Sequence, residues 1–352
     1  MPGISKIAIW AGLESLYFSG AHRLARNFVG GLGTILTFHH VRPALPDAFQ
    51  PNRGIEITPA FLEEAVTGLR RADVEIVSID EARERIVAGK SAKRFVVLTF
   101  DDGFRDNLEF AWPILKRHGV PFTMYVASSF ADGTGVLWWV VLERAVARND
   151  RIEVDLDGAE RTFDCSTLQA KCESFSTLYW WLRARERQED IDKVIAEIAF
   201  GYGIDTGKLC RELCMGWDEL STLAADPLVT IGSHTVSHPF LAKLSADAVR
   251  AEMAGANRRI AEKLGKEPQH FAYPVGDHGA AGPRDYAIAS ELGYRTAVTT
   301  EPGVLFARHG GQLSALPRIS VNGEFQRLRY LDVLMSGAPT ALMNAFRRGN
   351  AA

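Results

Sequence analysis

The sequence predicts an α/β fold, a distorted (β/α) barrel of about seven parallel strands with a helix-rich insertion. Short apolar runs, clearest at residues 95–100 (FVVLTF), alternate with stretches of helical periodicity. Continuous apolar runs of this length are typical of parallel strands that are buried on both faces. The alternation stops near residue 137 and resumes after residue 226, with helical patterns between. Because about seven strands follow one another in this way, we expect the sheet to close into a barrel.

The individual elements have local signals. Thr58 before a proline predicts a helix start, Asp80 is predicted to cap the next helix, and Pro113 is predicted to kink a third. Asp157 and Gly158 predict a hairpin turn inside the insertion. The predicted strands are residues 34–38, 74–79, 95–100, 122–127, 229–232, 270–273, 295–299 and 317–321. The predicted helices of the main domain include residues 80–87, 107–117, 246–264, 284–292 and 325–335.

Residues 1–32 are predicted to form an N-terminal helical segment that precedes the main domain at 33–352, with the insertion at about 137–226. Residues 4–28 have the pattern of one helix with an apolar face that Glu14 and Arg23 interrupt. We expect this helix to dock on its own domain; the alternative is a helix in the plane of a membrane, which would give peripheral membrane contact. A signal peptide is not evident, so the expected location is cytoplasmic or membrane-peripheral.

The composition is that of a soluble globular protein. Hydrophobic residues make up 47% and charged residues 24% of the 352 residues, and the net charge is −3. This small negative charge argues against nucleic acid as a partner. Nothing in the sequence predicts the oligomeric state.

Two adjacent acids, Asp101 and Asp102, end the most apolar predicted strand and are followed by Gly103. Where a strand ends the chain turns, so both carboxylates can reach one cavity at the edge where parallel strands place functional groups. Taken alone, such a motif is often only a turn or a helix cap.

Two histidines four residues apart, His234 and His238, follow another predicted strand. Imidazole is a good ligand for zinc and similar ions, and two histidines with one carboxylate leave positions open for water and substrate. The spacing alone is a weak signal, but the acid pair at another strand end is available to complete a metal site.

Two further strand ends carry candidate groups. The loop around Pro274 and Val275 could hold an oxyanion with its backbone N–H groups, although a plain turn is the alternative. His39 and His40 end the first predicted strand, and one of them could protonate a leaving amine; a hydrogen-bonded loop histidine is the alternative.

Together, residues 99–103 (TFDDG), 234–239 (HTVSHP) and 271–276 (FAYPVG) resemble the polysaccharide deacetylase family, also called carbohydrate esterase family 4 or the NodB homology domain. The resemblance covers roughly residues 33–127 and 228–322. It implies that Asp101 is the general base and that the Val275 N–H helps to stabilise an oxyanion. It also implies a divalent metal ion, most often zinc, on three ligands: Asp102, His234 and His238.

The chain departs from the usual pattern of this family in two places. Many members have an arginine before the third motif and an aromatic residue after its proline, where this chain has Gln269 and Val275. Arg318 is our candidate for the missing cation that orients Asp101.

The second departure concerns the general acid. No late Leu-x-His motif follows His309. The motifs look more like those of the branch that deacetylates poly-β-1,6-N-acetylglucosamine, in which an early strand supplies the acid histidine. The resemblance therefore assigns the acid to His39 rather than His40.

The function implied by this resemblance is metal-dependent removal of N-acetyl groups from an N-acetylated glycan. One alternative keeps the fold and the metal but hydrolyses a small amide or ureide; another is an inactive carbohydrate-binding protein. Four tryptophans of the insertion could stack on sugar rings, although such residues are more often core. They are Trp138, Trp139, Trp180 and Trp181.

Overall fold

The computed structural model describes residues 6–72 and 74–349, and parallel strands form its centre. Residues 1–5, 73 and 350–352, including the predicted helix start at residue 4, lie outside this described part. The strands in chain order are β1 (Gly33–Phe38), β2 (His40–Val41), β3 (Glu56–Ile57), β4 (Glu75–Ile76), β5 (Phe95–Phe100), β6 (Phe122–Val126), β7 (Arg151–Leu156), β8 (Ala159–Asp164), β9 (Val229–Ser233), β10 (His270–Ala272), β11 (Thr296–Pro302) and β12 (Leu316–Ser320).

Seven of these strands close a parallel barrel, as the sequence predicted. Their order is β1, β12, β11, β10, β9, β6 and β5, and β5 pairs back onto β1 along its full length. The short β4 pairs with the first residues of β5, whereas β6 pairs with its last residues. Every residue of β1 and β5 is buried, which explains why these strands are mostly apolar and contain no charged residue.

Helices surround the barrel. Thr58 caps α3 by accepting a hydrogen bond from the Phe61 N–H, as expected, but Ser78 and not Asp80 caps α4, accepting from the Glu81 N–H at 3.2 Å. The cap lies two residues earlier than predicted because β4 ends at Ile76, before the predicted strand end at residue 79. The helices outside the insertion are α1 (Lys6–Phe18), α2 (Ala21–Val29), α3 (Pro59–Arg71), α4 (Ile79–Val87), α5 (Trp112–Arg117) and α6 (Ser128–Ala131) before it, and α12 (Ala246–Leu264), α13 (Pro283–Glu291), α14 (Leu328–Met335) and α15 (Ala338–Gly349) after it.

The stretch between β6 and β9 contains the predicted helices and hairpin. After α6 it holds α7 (Trp138–Arg148), α8 (Leu168–Arg183), α9 (Gln188–Gly201), α10 (Thr206–Leu213) and α11 (Trp217–Ala224), and β7 pairs with β8 through a turn at Asp157 and Gly158. The apolar side chains of α7, α8 and α9 form one buried cluster with the inner face of the hairpin. This cluster continues into the residues behind the strand ends, so the insertion forms a wall over that edge of the barrel.

The N-terminal segment forms two helices rather than the single helix predicted. The chain breaks at Gly20, whose φ of 72° lies in the left-handed region. Helix α1 packs against α14, where Leu13 is buried with Tyr330 and Val333. Among the described residues, no helix combines the length and hydropathy needed to cross a membrane.

Candidate active site

The two adjacent acids both enter one cavity because the chain turns sharply after β5. Asp102 has φ 72° and Gly103 has φ 69°, so the backbone takes a left-handed turn directly after Asp101. Both carboxylates are almost fully buried, at 2% exposure each. The motif is therefore more than a surface turn: it places two carboxylates inside the barrel mouth.

His234 and His238 converge on Asp102 from the end of β9. Asp102 Oδ1 lies 3.4 Å from His234 Nε2 and 3.3 Å from His238 Nε2. The His234 Nδ1–H donates to the Ala272 carbonyl at 2.6 Å, which leaves Nε2 free to act as a ligand. Thr235 and His238 have φ values of 69° and 59°. The segment between the histidines therefore has a left-handed backbone conformation that is unusual for residues other than glycine.

These three residues fit a divalent metal ion. Their ligand atoms all lie within 4.8 Å of one another. Ligands at zinc distances in a tetrahedron are separated by roughly 3.4 Å, close to the observed spacings. Asp102 Oδ1 is buried and has no hydrogen-bond partner in the described chain, so a cation would satisfy it. Burial favours the neutral acid, but the two imidazoles outweigh burial and hold the pKa of Asp102 well below its usual range.

Arg318 holds Asp101 from the middle of β12. Its Nη1 and Nη2 donate to the two carboxylate oxygens of Asp101 at 2.8 and 2.6 Å, and its Nε donates to the Thr299 carbonyl at 2.8 Å. The guanidinium is fully buried. Burial raises the pKa of Asp101, but the charge and hydrogen bonds of Arg318 more than offset this, so the pKa lies below its ordinary value. The proposed contact between Arg318 and Asp101 is thus present, and Asp101 is an oriented carboxylate.

The two histidines after β1 face different surroundings. His39 lines the cavity together with Asp101 and Asp102, and burial lowers its pKa despite the two nearby carboxylates. His40 turns away from the cavity: its Nδ1 lies 2.6 Å from an Asp106 oxygen and its ring stacks on Phe104. The geometry therefore places the histidine that the sequence favoured, His39, where a substrate nitrogen could be reached.

The loop after β10 places Val275 at the cavity wall. Val275 has φ 60°, which is rare for a β-branched residue, and the Thr300 hydroxyl donates to its carbonyl at 2.7 Å. Across the described chain, no acceptor takes a hydrogen bond from the Val275 N–H. This donor is therefore free for a ligand. Of the five non-glycine residues with positive φ in the described chain, four lie at the site: Asp102, Thr235, His238 and Val275.

All seven predicted site residues except Arg318 line one cavity of about 330 Å³, and Arg318 lies behind Asp101. The insertion also contributes to the wall. Trp138 and Trp139 border the cavity while being 6% and 7% exposed, whereas Trp180 and Trp181 do not border it. The predicted sugar platform is thus limited to the first pair.

One ion pair of the cavity was missed by sequence reasoning. Arg183, the last residue of α8, pairs with Asp277 in the loop after β10, and both line the cavity. The Arg183 guanidinium also lies 5.4 Å from the Phe240 ring centre. No local pattern marks Arg183, because only the packing of the insertion brings it to the strand ends. The sequence did offer one signal for this pair: Asp277 lies three residues after Pro274, in a loop that was already a candidate for the site.

A family model described as polysaccharide deacetylase matches residues 88–164 and 179–297, more than half of the chain. The chain therefore belongs to the polysaccharide deacetylase family, the class that the barrel and its strand-end acids and histidines define. A curated relative, YxkH of Bacillus subtilis, is provisionally named as a polysaccharide deacetylase and is 21% identical over 233 residues. The match takes in 66% of this chain and 53% of that protein, so the chain spans about half the length of the curated relative it matches.

Solved structures show the same fold at low sequence identity. The deacetylase PplD of Streptococcus pyogenes is 18% identical with a TM-score of 0.57, over 86% of this chain and 97% of that one. IcaB of Ammonifex degensii is 18% identical with a TM-score of 0.55, over 87% and 98%. A de-N-acetylase of Aggregatibacter actinomycetemcomitans is 14% identical with a TM-score of 0.52, over 86% and 99%.

Proposed function

We propose that this protein is a divalent-metal-dependent N-deacetylase that removes acetyl groups from glycans containing N-acetylglucosamine. The observation that carries the proposal is one cavity in which the Asp102, His234 and His238 cluster lies beside the Arg318-bound carboxylate of Asp101 and the imidazole of His39. Relatives named as deacetylases, including a de-N-acetylase, support the reaction class.

Asp102, His234 and His238 would hold the ion, and we propose zinc because two imidazole nitrogens and one carboxylate oxygen suit it. When bound, such an ion supplies Lewis acidity, which polarises an acyl oxygen and lowers the pKa of water towards about 7. That help matters here, because a carboxylate whose pKa is depressed by Arg318 is a weak base for free water.

The protein side chains would then move two protons. Asp101, kept ionised and oriented by Arg318, accepts a proton from the attacking water. The Val275 N–H donates to the oxygen that becomes negative as the amide carbon becomes tetrahedral. His39 returns a proton to the amide nitrogen, so that the carbon–nitrogen bond breaks and the products are acetate and a free amine. Each proton transfer contributes about 10²–10⁴ in rate.

One wall of the cavity offers both aromatic and polar side chains to a sugar ring. Trp138 and Trp139 of α7 border the cavity with apolar ring surface, and the Arg183–Asp277 pair offers hydrogen-bonding groups beside them. Aromatic faces combined with paired polar groups suit a sugar, which has apolar C–H faces and hydroxyl edges. This combination favours a glycan over a small amide or ureide.

The test is acetate release from β-1,4- and β-1,6-linked N-acetylglucosamine oligomers, with chelator and with zinc added back. We expect release that stops with chelator and returns with zinc, and no release from the Asp101→Asn variant. Asp106→Asn, which changes a partly buried acid outside the cavity, is the matched control and should retain most activity.

Other outcomes separate the alternatives. Bound zinc without release from any oligomer, but with hydrolysis of small amides or ureides, would establish the small-molecule reaction instead. Sugar binding without bound metal or turnover would identify an inactive carbohydrate-binding protein.

A further inference from the structure

The helices α1 and α2 expose an unusual amount of apolar surface. Five large side chains on them are 48% to 85% exposed: Ile7, Trp10, Phe18, Leu24 and Phe28. Exposed apolar groups clustered in this way mark interaction sites more often than isolated ones do.

The exposed side chains belong to helices that already pack on the domain. Helix α1 is attached to the domain through its second half, because Leu13 is buried against α14 and Arg329 donates to the Glu14 carboxylate at 2.5 Å. In α2, His22 is fully buried and its Nε2 lies 3.1 Å from an Asp332 oxygen. The apolar side chains therefore remain exposed on a helix pair that is already held by the domain.

The charge around this surface is positive, unlike the rest of the chain. Residues 6–29 and 324–345 contain five basic and three acidic residues, whereas the rest of the chain contains 35 basic and 40 acidic residues. The three acids, Glu14, Glu324 and Asp332, are all engaged in ion pairs with lysine or arginine. Arg23 is exposed between the apolar groups and makes no ion pair within the described chain.

We propose that Ile7, Trp10, Phe18, Arg23, Leu24 and Phe28 form a membrane-binding surface that inserts at the headgroup boundary of an anionic lipid bilayer. Large apolar side chains beside unopposed basic groups are the combination that binds this boundary, through burial of apolar area and attraction to anionic headgroups. A second copy of the chain would present the same positive charge, so charge complementarity favours the lipid. The proposal does not depend on deacetylation.

The test is co-sedimentation of the full chain with vesicles of equal parts phosphatidylglycerol and phosphatidylcholine, and with vesicles of phosphatidylcholine alone. We expect binding to the anionic vesicles that weakens with salt and is much lower on the neutral ones. Phe18→Ser with Phe28→Ser should lower the partition coefficient by about tenfold or more, since both side chains are exposed and their apolar area is lost. Arg23→Glu should also weaken binding.

Matched controls are Phe200→Ser with Leu168→Ser, which remove exposed apolar side chains from α9 and α8 and should leave binding unchanged. Circular dichroism and acetate release show whether each variant is folded. Absence of binding by the wild type, or binding that survives the double Phe18 and Phe28 change, would overturn the proposal. A lipid-free dimer that the same double change dissociates would overturn it too, and would assign the surface to self-association.

Discussion

Arg318 of β12 donates hydrogen bonds to both carboxylate oxygens of Asp101, which follows the end of β5. The two residues are 217 positions apart in the chain, and strand β1 lies between β12 and β5 in the barrel. Both side chains are almost fully excluded from solvent. A buried pair of this kind is costly to break, because the remaining partner keeps its charge without compensation.

We therefore expect Arg318→Met to destabilise the metal-free protein by about 3 kcal/mol at neutral pH, and to reduce activity sharply, since Asp101 loses its orienting partner. Denaturant unfolding measures the first effect. Arg250→Met removes an exposed arginine from its ion pair with Glu291 and should cost less than about 1 kcal/mol. Equal losses in the two variants would contradict a special role for the buried pair.

The pH dependence of that loss has a definite sign. In the wild type the pKa of Asp101 is lowered, so the stability it contributes is present above the unfolded pKa of about 3.9 and is lost as pH falls through the folded pKa. Without Arg318, burial raises the pKa of Asp101 against only the weaker opposing effect of His234 and His39, so Asp101 takes up a proton at a higher pH than in the wild type. The stability difference between Arg318→Met and the wild type should thus shrink as pH falls from 7 towards 4.

Substitution of Asp102 should weaken metal binding, whereas substitution of the nearby Asp106 should not. Asp102→Asn removes the carboxylate that faces both imidazoles, and we expect zinc affinity to fall by about a hundredfold or more, as measured by competition with a chelating dye. Asp106→Asn should keep the wild-type affinity. Full zinc affinity in Asp102→Asn would refute the ligand assignment.

The acid assignment separates two adjacent histidines. His39→Ala should lower kcat by about 10²–10⁴ while leaving zinc bound. His40→Ala should instead lower stability, because it breaks the contact with Asp106 and empties the space against Phe104. A large loss of kcat in His40→Ala, with His39→Ala active, would reverse the assignment.

The same assignment predicts a falling limb in the pH profile. Burial lowers the pKa of His39 below its ordinary value of 6.5 despite the two carboxylates beside it. The protonated form, which a general acid needs, is therefore lost as pH rises through a value below 6.5. The pH profile of kcat/KM should show this descending limb in the wild type. The pH profile of the remaining kcat/KM of His39→Ala should lack the descending limb.

Val275 tests whether a backbone group or a side chain matters in the loop after β10. Val275→Gly keeps the N–H and relieves the left-handed backbone, so we expect stability to rise by about 1 kcal/mol and activity to change little. Thermal unfolding and acetate release check both points. If kcat fell by orders of magnitude, the valine side chain and not its N–H would be the functional group.

The Arg183–Asp277 pair should affect substrate binding more than chemistry. Arg183→Met removes a hydrogen-bonding group from the cavity wall while Asp101 and the metal ligands stay in place, so KM should rise severalfold with kcat nearly unchanged. Arg185→Met changes a residue that stacks on Trp181 away from the cavity, and should have no effect on KM. A fall in kcat alone in Arg183→Met would place this residue in the reaction itself.

The barrel was predictable because its strands are buried on both faces. For β5 the predicted and observed ends coincide, and the observed β1 begins only one residue before the prediction. Local chemistry was less reliable where two candidates compete: Ser78 caps α4 instead of Asp80, and Gly20 breaks a helix whose apolar pattern continues past it. Patterns of hydrophobicity predict burial well, but they carry little information about single backbone angles.

The site was predictable where groups end strands and unpredictable where packing brings them in. Asp101, Asp102, His234 and His238 all follow parallel strands, which place their side chains at one edge of the barrel. Arg318 was chosen only as a substitute for the arginine that many family members have elsewhere, and its contact with Asp101 is present. Arg183 ends a helix of the insertion, and no spacing in the sequence relates it to Asp277.

The position of β12 has a consequence for how the protein folds. This strand is the last to join the barrel in chain order, and it carries the only arginine that, within the described chain, contacts Asp101. Until it inserts, a nascent chain holds a carboxylate at the end of β5 that has no cation to make its burial favourable. We therefore expect barrel closure and charge compensation to occur together, and a chain that stops before residue 318 to be degraded rather than to be a partly active enzyme.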